Sequence, residues 1–180
     1  MLRNLFFYGV IAGVIIAVPT FGLTVLMKDN PPTQYGLVFG YTTMLVALSA
    51  IFVAIKRQRD VEGGGVIRFW PALALGLGVS LIAGIFYTVA WEAALAATGM
   101  DFANDYADHL IAPEKAKGVS AAALAKFTAE MEAFKVQYAN PLYRMPMTFT
   151  EIFPVGVLVS LVSAALLRNS RFLPARGVAQ

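Results

Sequence analysis

Four long apolar runs separated by polar stretches set the pattern of this chain. They extend from Leu5 to Met27, from Tyr35 to Ile55, from Ile67 to about Ala97, and from about Phe149 to Leu167. Each approaches or exceeds the roughly 20 helical residues needed to cross a hydrocarbon core of about 30 Å. None alternates apolar with polar residues as a half-buried strand does. Backbone in lipid must also satisfy its own hydrogen bonds, which leaves helices as the solution. The pattern predicts an all-α integral membrane protein with four transmembrane helices. The third run is the longest and corresponds to a helix of roughly 45 Å at about 1.5 Å per residue, so it tilts or projects beyond the bilayer. The first run is read as a span rather than a secretory signal: its apolar core exceeds about 15 residues and no A-x-A-like site follows.

Between the third and fourth runs lies a wetter stretch, residues 99–146. "GVSAAALAKFTAEMEAFKVQYANP" predicts a helix from about Ser120 to Ala139, with Ser120 as N-cap and Pro141 ending it. Leu124, Phe127, Met131, Phe134 and Tyr138 recur at alternating spacings of three and four and form one apolar stripe. Lys126 and Glu130 stand one turn apart on the wet side. The stripe is expected to pack back on the third span or on a short helix in "DFANDYADHLI"; the competing reading is a docking face for another protein. Residues 1–168 thus form one four-helix membrane domain with a two-helix insertion at 99–146, followed by a short tail, 169–180.

Composition agrees. The chain has 180 residues, of which 58% are hydrophobic and 14% charged, and a mean hydropathy of +0.67. Soluble domains run at about 45–50% apolar and about 25% charged. There is no cysteine, which removes disulfides, thiolate metal sites and cysteine nucleophiles together. The basic residues border apolar runs instead of forming one face, so nucleic acid is not an expected partner; the lipid bilayer is.

Those charges predict the orientation. Arg3, the 56–68 loop and the tail carry eight basic and two acidic residues, whereas the other connections carry six basic and nine acidic. Positive residues abutting spans stay in the cytoplasm, and "IKRQRD" abuts the second span directly. Both termini are therefore expected to be cytoplasmic and 99–146 extracytoplasmic. Lys56, Arg57 and Arg59 are read as a topology anchor or as a contact for anionic lipid head groups, two readings that the charges alone do not separate.

Candidate chemistry gathers at the other face. Glu92 and Glu151 are placed near the outer ends of the third and fourth spans, at similar depth, with Arg144 one to two turns before Glu151 as its partner. With Tyr87, Trp91 and Tyr143 they outline an outward-facing polar pocket. The plainer reading is an aromatic belt and one interfacial bridge, and it is preferred because a charge near the interface costs less than one at the bilayer centre. Pro19 and Pro154 each remove a helical N–H and are expected to kink the first and fourth helices. Gly9 and Gly13, Gly36 and Gly40, Gly76 and Gly84, and Gly156 fall on four-residue rhythms that let helices approach closely. His109, with Asp105 and Asp108, lacks the converging ligands a zinc site needs, so no metal and no cofactor is expected. "EGGGV" at 62–66 follows no strand and is not a phosphate cradle. No serine–histidine–acid arrangement stands out.

Together "YGVIAGV", "GYTTMLVALSAIFVAIKRQRD", Gly65, Phe69, the Tyr87–Trp91 stretch and "TFTEIFPVGVLVSL" resemble a bacterial family of small four-helix membrane proteins catalogued as a domain of unknown function, number four-one-nine-nine. The resemblance covers roughly residues 1–168 and rests most on "IKRQRD" and "EIFPVG". It implies four spans and a bacterial cytoplasmic (inner) membrane, and brings no activity. The functional expectation is a non-catalytic accessory or structural subunit, associated with another membrane protein or with its own copies. One alternative is a small-ligand or proton-coupled carrier using Glu92 and Glu151. A weaker one is an enzyme acting on lipid or envelope precursors, which requires Glu92, Arg144 and Glu151 to converge.

Overall fold

A computed structural model of the chain describes residues 1–26, 36–99 and 101–175. The elements are α1 (Leu2–Leu26), α2 (Gly36–Arg57), a π-helical turn (Gln58–Glu62), α3 (Phe69–Thr98), α4 (Phe102–Ala116), α5 (Ala121–Tyr138) and α6 (Pro141–Leu167). Four of these helices are long and apolar enough to cross a membrane: α1, α2, α3 and α6. The expected limits at Met27 and Tyr35, together with Lys28 and Arg176, lie outside the described residues.

The spans match the apolar runs except at α6. This helix begins at Pro141, eight residues before the expected Phe149. Two prolines and an arginine mask its first turns in the sequence. Pro141 sits where a helix has no use for the N–H, and the Asn140 side chain caps the end by accepting from the Leu142 N–H at 3.0 Å. The insertion therefore ends at residue 140. Both α1 and α6 continue as helix through Pro19 and Pro154, and α6 also contains Pro146. The Thr20 hydroxyl donates to the Ile16 carbonyl at 2.8 Å, one residue beyond Pro19.

α3 is the central post, packed against α1, α2 and α6. Its two main seams depend on small residues. A Cβ on Gly9 or Gly13 of α1 would come within 2.7 and 2.5 Å of Ile82 and Phe86 of α3, respectively. At the α3–α6 seam the same exchange is reciprocal. A Cβ on Gly76 would strike Ser160, and one on Gly156 would strike Ser80, while Gly84 lies under Phe149. The hydroxyls of Ser80 and Ser160 stand 3.3 Å apart and each also meets a carbonyl of its own helix, so these buried polar groups are satisfied. Around them lie the fully buried Ile16, Leu48, Ile51, Leu75, Val79 and Ile152.

The expectation fails at Gly36 and Gly40, where no described residue comes within 4 Å of a Cβ. Both sit on the stripe that carries Met44, Ala47, Leu48 and Ile51 into the core further along α2. Among the described residues, none packs on the core face of α2 at its first turns.

Both described ends of the chain meet at one end of the bundle. The Met1 amine donates to Glu62 at 2.9 Å, and Asn4 donates to Gln58 and Glu62 at 2.9 and 3.1 Å. Arg59 does not project as a head-group anchor. It is fully buried, with its fork donating to the carbonyls of Phe172 at 2.8 Å and Leu173 at 2.5 Å and its Nε to Asp60 at 2.6 Å. The π turn swings this one residue of "IKRQRD" inward, while Arg57 stays exposed and Lys56 pairs with Asp60. The first part of the short tail after α6 is thereby held on the bundle through Leu173. "EGGGV" is the tight return from the π turn to α3: a Cβ on Gly63 would meet the Val66 carbonyl at 2.3 Å, and Gly64 and Gly65 take φ of 60° and 88°.

Candidate functional site

At the opposite end α4 and α5 form a hairpin over the spans. Gly99 in the left-handed region ends α3, with its N–H on the Leu95 carbonyl. Asp101 caps α4 and Ser120 caps α5. The α5 stripe lies against α4, as the preferred reading expects: Leu124, Phe127, Met131 and Phe134 are half-buried and Tyr138 is buried.

Tyr138 is the keystone that sequence reasoning placed on the stripe but not in the site. The Trp91 indole N–H of α3 donates to its phenol oxygen at 2.9 Å. Its ring lies 5.4 Å from Phe102 and 5.3 Å from Phe134, and Phe102 meets Trp91 edge-on at 5.1 Å. Tyr106 closes the cluster against Phe102 and Phe134. Burial pushes the Tyr138 phenol up to about 12 from its ordinary 10.0. On α5 the neighbouring Lys135 donates to Glu132, which raises its pKa. The signals were Phe102 and Tyr106 in "DFANDY", four residues apart, facing a stripe of aromatic residues.

Arg144 reaches across to α3, not along its own helix to Glu151. Its Nε and Nη2 donate to the two oxygens of Glu92 at 2.7 and 2.5 Å, and its Nη1 donates to the Tyr138 carbonyl at 3.1 Å. The guanidinium also stands over the Tyr138 ring, 5.6 Å from its centre. A planar fork on a carboxylate is the geometry arginine favours. One guanidinium thus joins α3, α5 and α6.

Glu151 lies two turns beyond Arg144 on α6, so the two carboxylates are not at one depth. Counting about 1.5 Å per residue, Glu151 sits roughly 10 Å nearer the bundle centre than Arg144. There it accepts a hydrogen bond from the Tyr87 hydroxyl at 2.8 Å. The expected pocket therefore divides into two arrangements: Trp91, Glu92 and Arg144 at the rim with Tyr138, and Tyr87 with Glu151 below. Tyr143 is exposed and joins neither. Glu92 and Arg144 converge, and Glu151 stays apart from them.

Two cavities flank this end. One of about 280 Å³ lies beside the rim cluster, between Leu95, Phe102, Asn104, Lys135 and Tyr138. The other, about 540 Å³, is an apolar groove between α1 and α3 lined by Ala17, Phe21, Phe86, Val89 and Ala93. Among the described residues no group of three metal-binding side chains converges, and His109 stays on α4 away from both arrangements.

A family model with the description "Protein of unknown function (DUF4199)" matches residues 7–169, nearly the whole chain. No curated protein and no solved structure matches it.

Proposed function

This chain belongs to the DUF4199 family, and from that premise we propose that it serves as a non-catalytic accessory or structural subunit of a larger membrane assembly. The observation that carries this reading is how the polar side chains at the α4–α5 end are used. Arg144 gives all three of its nitrogens to Glu92 and the Tyr138 carbonyl, and Trp91 gives its N–H to Tyr138. These bonds commit the polar groups of this end to joining α3, α5 and α6. The asymmetry of charge supports a bacterial cytoplasmic membrane with both termini inside and the α4–α5 hairpin outside.

The subunit reading is tested by extracting the tagged chain gently from its own membranes and measuring the mass of the eluting particle by light scattering. A particle of fixed stoichiometry, larger than the 19.4 kDa chain, is expected. A monodisperse monomer overturns it. Glu151 supports the carrier as a second reading, because ionisable groups within spans default to functional candidates. Solute or proton flux into vesicles that persists in the Glu92→Gln, Glu151→Gln double variant removes that reading.

A further inference from the structure

The Glu151 carboxylate, set within α6, has no ionic partner among the described residues. It accepts one hydrogen bond, from Tyr87. A carboxylate set within a span requires a counter-charge or a proton, since its solvation by water is curtailed there.

The packing register shows what stands level with it. Leu48, Ser80 and Gly156 meet at one height, where a Cβ on Gly156 would lie 2.7 Å from the Ser80 Cβ and 3.6 Å from Leu48. Moving from that height toward the α4–α5 end at about 1.5 Å per residue, Glu151 is reached after roughly 8 Å, and Tyr87 and Tyr41 after roughly 10 Å each. Three helices therefore bring a carboxylate and two phenol rings to one level. Tyr41 lies two turns from Leu48 on α2 and Tyr87 two turns from Ser80 on α3, each continuing the face that meets Gly156. Met44, buried, follows Tyr41 by one turn on α2, and Gly40 and Gly36, which no described residue approaches, lie on the other side of Tyr41. Glu151 and Tyr41 are both exposed on the side of the bundle.

This donor set selects among cations. A calcium or magnesium ion requires six or more oxygen ligands, and here one carboxylate stands among phenol rings and hydrocarbon. An organic ammonium group fits it: the charge pairs with the carboxylate, and its N–H or N–CH₃ faces lie against aromatic rings.

We infer that Glu151, with Tyr87 and Tyr41, forms a laterally open site for an organic ammonium group between α2, α3 and α6. The ammonium comes from a lipid head group or from a water-soluble amine. The inference stands independently of the subunit reading, because it concerns one side-chain cluster of the isolated chain.

The test is native mass spectrometry of the full chain in detergent, titrated with phosphatidylethanolamine, phosphatidylcholine and phosphatidylglycerol of identical acyl chains. The wild type is expected to retain the two ammonium lipids about fivefold to tenfold better than the anionic one, the worth of one charged aromatic site. Glu151→Gln brings the three to near parity. Tyr41→Leu, an exchange at an exposed position that leaves the fold intact, weakens the preference while Glu151 remains. Displacement of the lipid by free ethanolamine identifies a soluble amine as the source; adducts that persist identify the head group. Equal retention of all three lipids by the wild type overturns the inference, as does an unchanged preference in Glu151→Gln or Tyr41→Leu. So does carbodiimide coupling of Glu151 to a lysine of a co-extracted protein, which would assign the carboxylate to a protein contact.

Discussion

Arg144 and Glu92 form the contact that most constrains the rim, and its strength can be measured apart from its neighbours. Their side chains are 16% and 22% exposed, and the fork is two-pronged, so the pair is worth more than a surface bridge. A double-mutant cycle with Arg144→Gln and Glu92→Gln in detergent unfolding should return a coupling of about 1–2 kcal/mol. The cycle between Arg144 and Glu151 should return nearly none. Equal couplings would restore the single pocket that the sequence suggests. The sequence placed both carboxylates on their helices, yet left Arg144 in the insertion before the fourth span and assigned it the wrong partner. Seven residues along one helix resemble a contact, whereas the registry between α3 and α6 is set by the Gly76–Ser160 and Gly156–Ser80 exchanges, which no single helix reveals. Tyr138 offers a second residue-scale outcome. Its phenol stays protonated in the folded protein above the ordinary 10.0, so the stability it contributes is complete below pH 10 and fades as pH rises toward about 12. In a Trp70→Phe background, Trp91 fluorescence should report this loosening with a midpoint nearer 12 than 10; a midpoint at 10 would place Tyr138 in water.

At the scale of elements the glycines fall into two groups that the four-residue rhythm alone does not separate. Gly156→Ile should lower thermal stability strongly, by about 1–3 kcal/mol or more of overpacking at the α3–α6 seam. Gly40→Ala should leave stability unchanged or raise it by about 0.5–1 kcal/mol through helix propensity, since no described neighbour stands in the way. A large loss at Gly40 would show that α2 closes against its neighbours at that level. The spans themselves were legible because about 20 apolar residues admit only one structure in lipid. The start of α6 was not, because "PLYRMPM" reads as punctuation until Asn140 caps it and Pro141 occupies its first position. Arg59 was hidden differently. In "IKRQRD" all the basic residues look alike, and only the π turn distinguishes the one that faces inward. Arg59→Ala should free the segment after α6, at a cost of about 2–4 kcal/mol for leaving two carbonyls unpaired and Asp60 with Lys56 alone. Protease should then cut near Phe172 well before the spans unfold. Arg59→Lys keeps the charge without the fork and should give an intermediate result.

For the whole molecule these features describe a bundle closed at both ends by its own polar groups: Arg59, Asn4 and Glu62 where the chain ends meet, and Arg144, Glu92 and Tyr138 beneath the hairpin. Charged groups committed at both ends to holding helices in place support the reading of this chain as a stable part of something larger. That reading is tested most directly by native mass spectrometry of the tagged chain released from its own membranes in mild detergent. A single complex of fixed stoichiometry is expected, containing this chain with a second membrane protein or with further copies of itself. A lone 19.4 kDa chain, free of any partner under conditions that keep other membrane complexes intact, would contradict it.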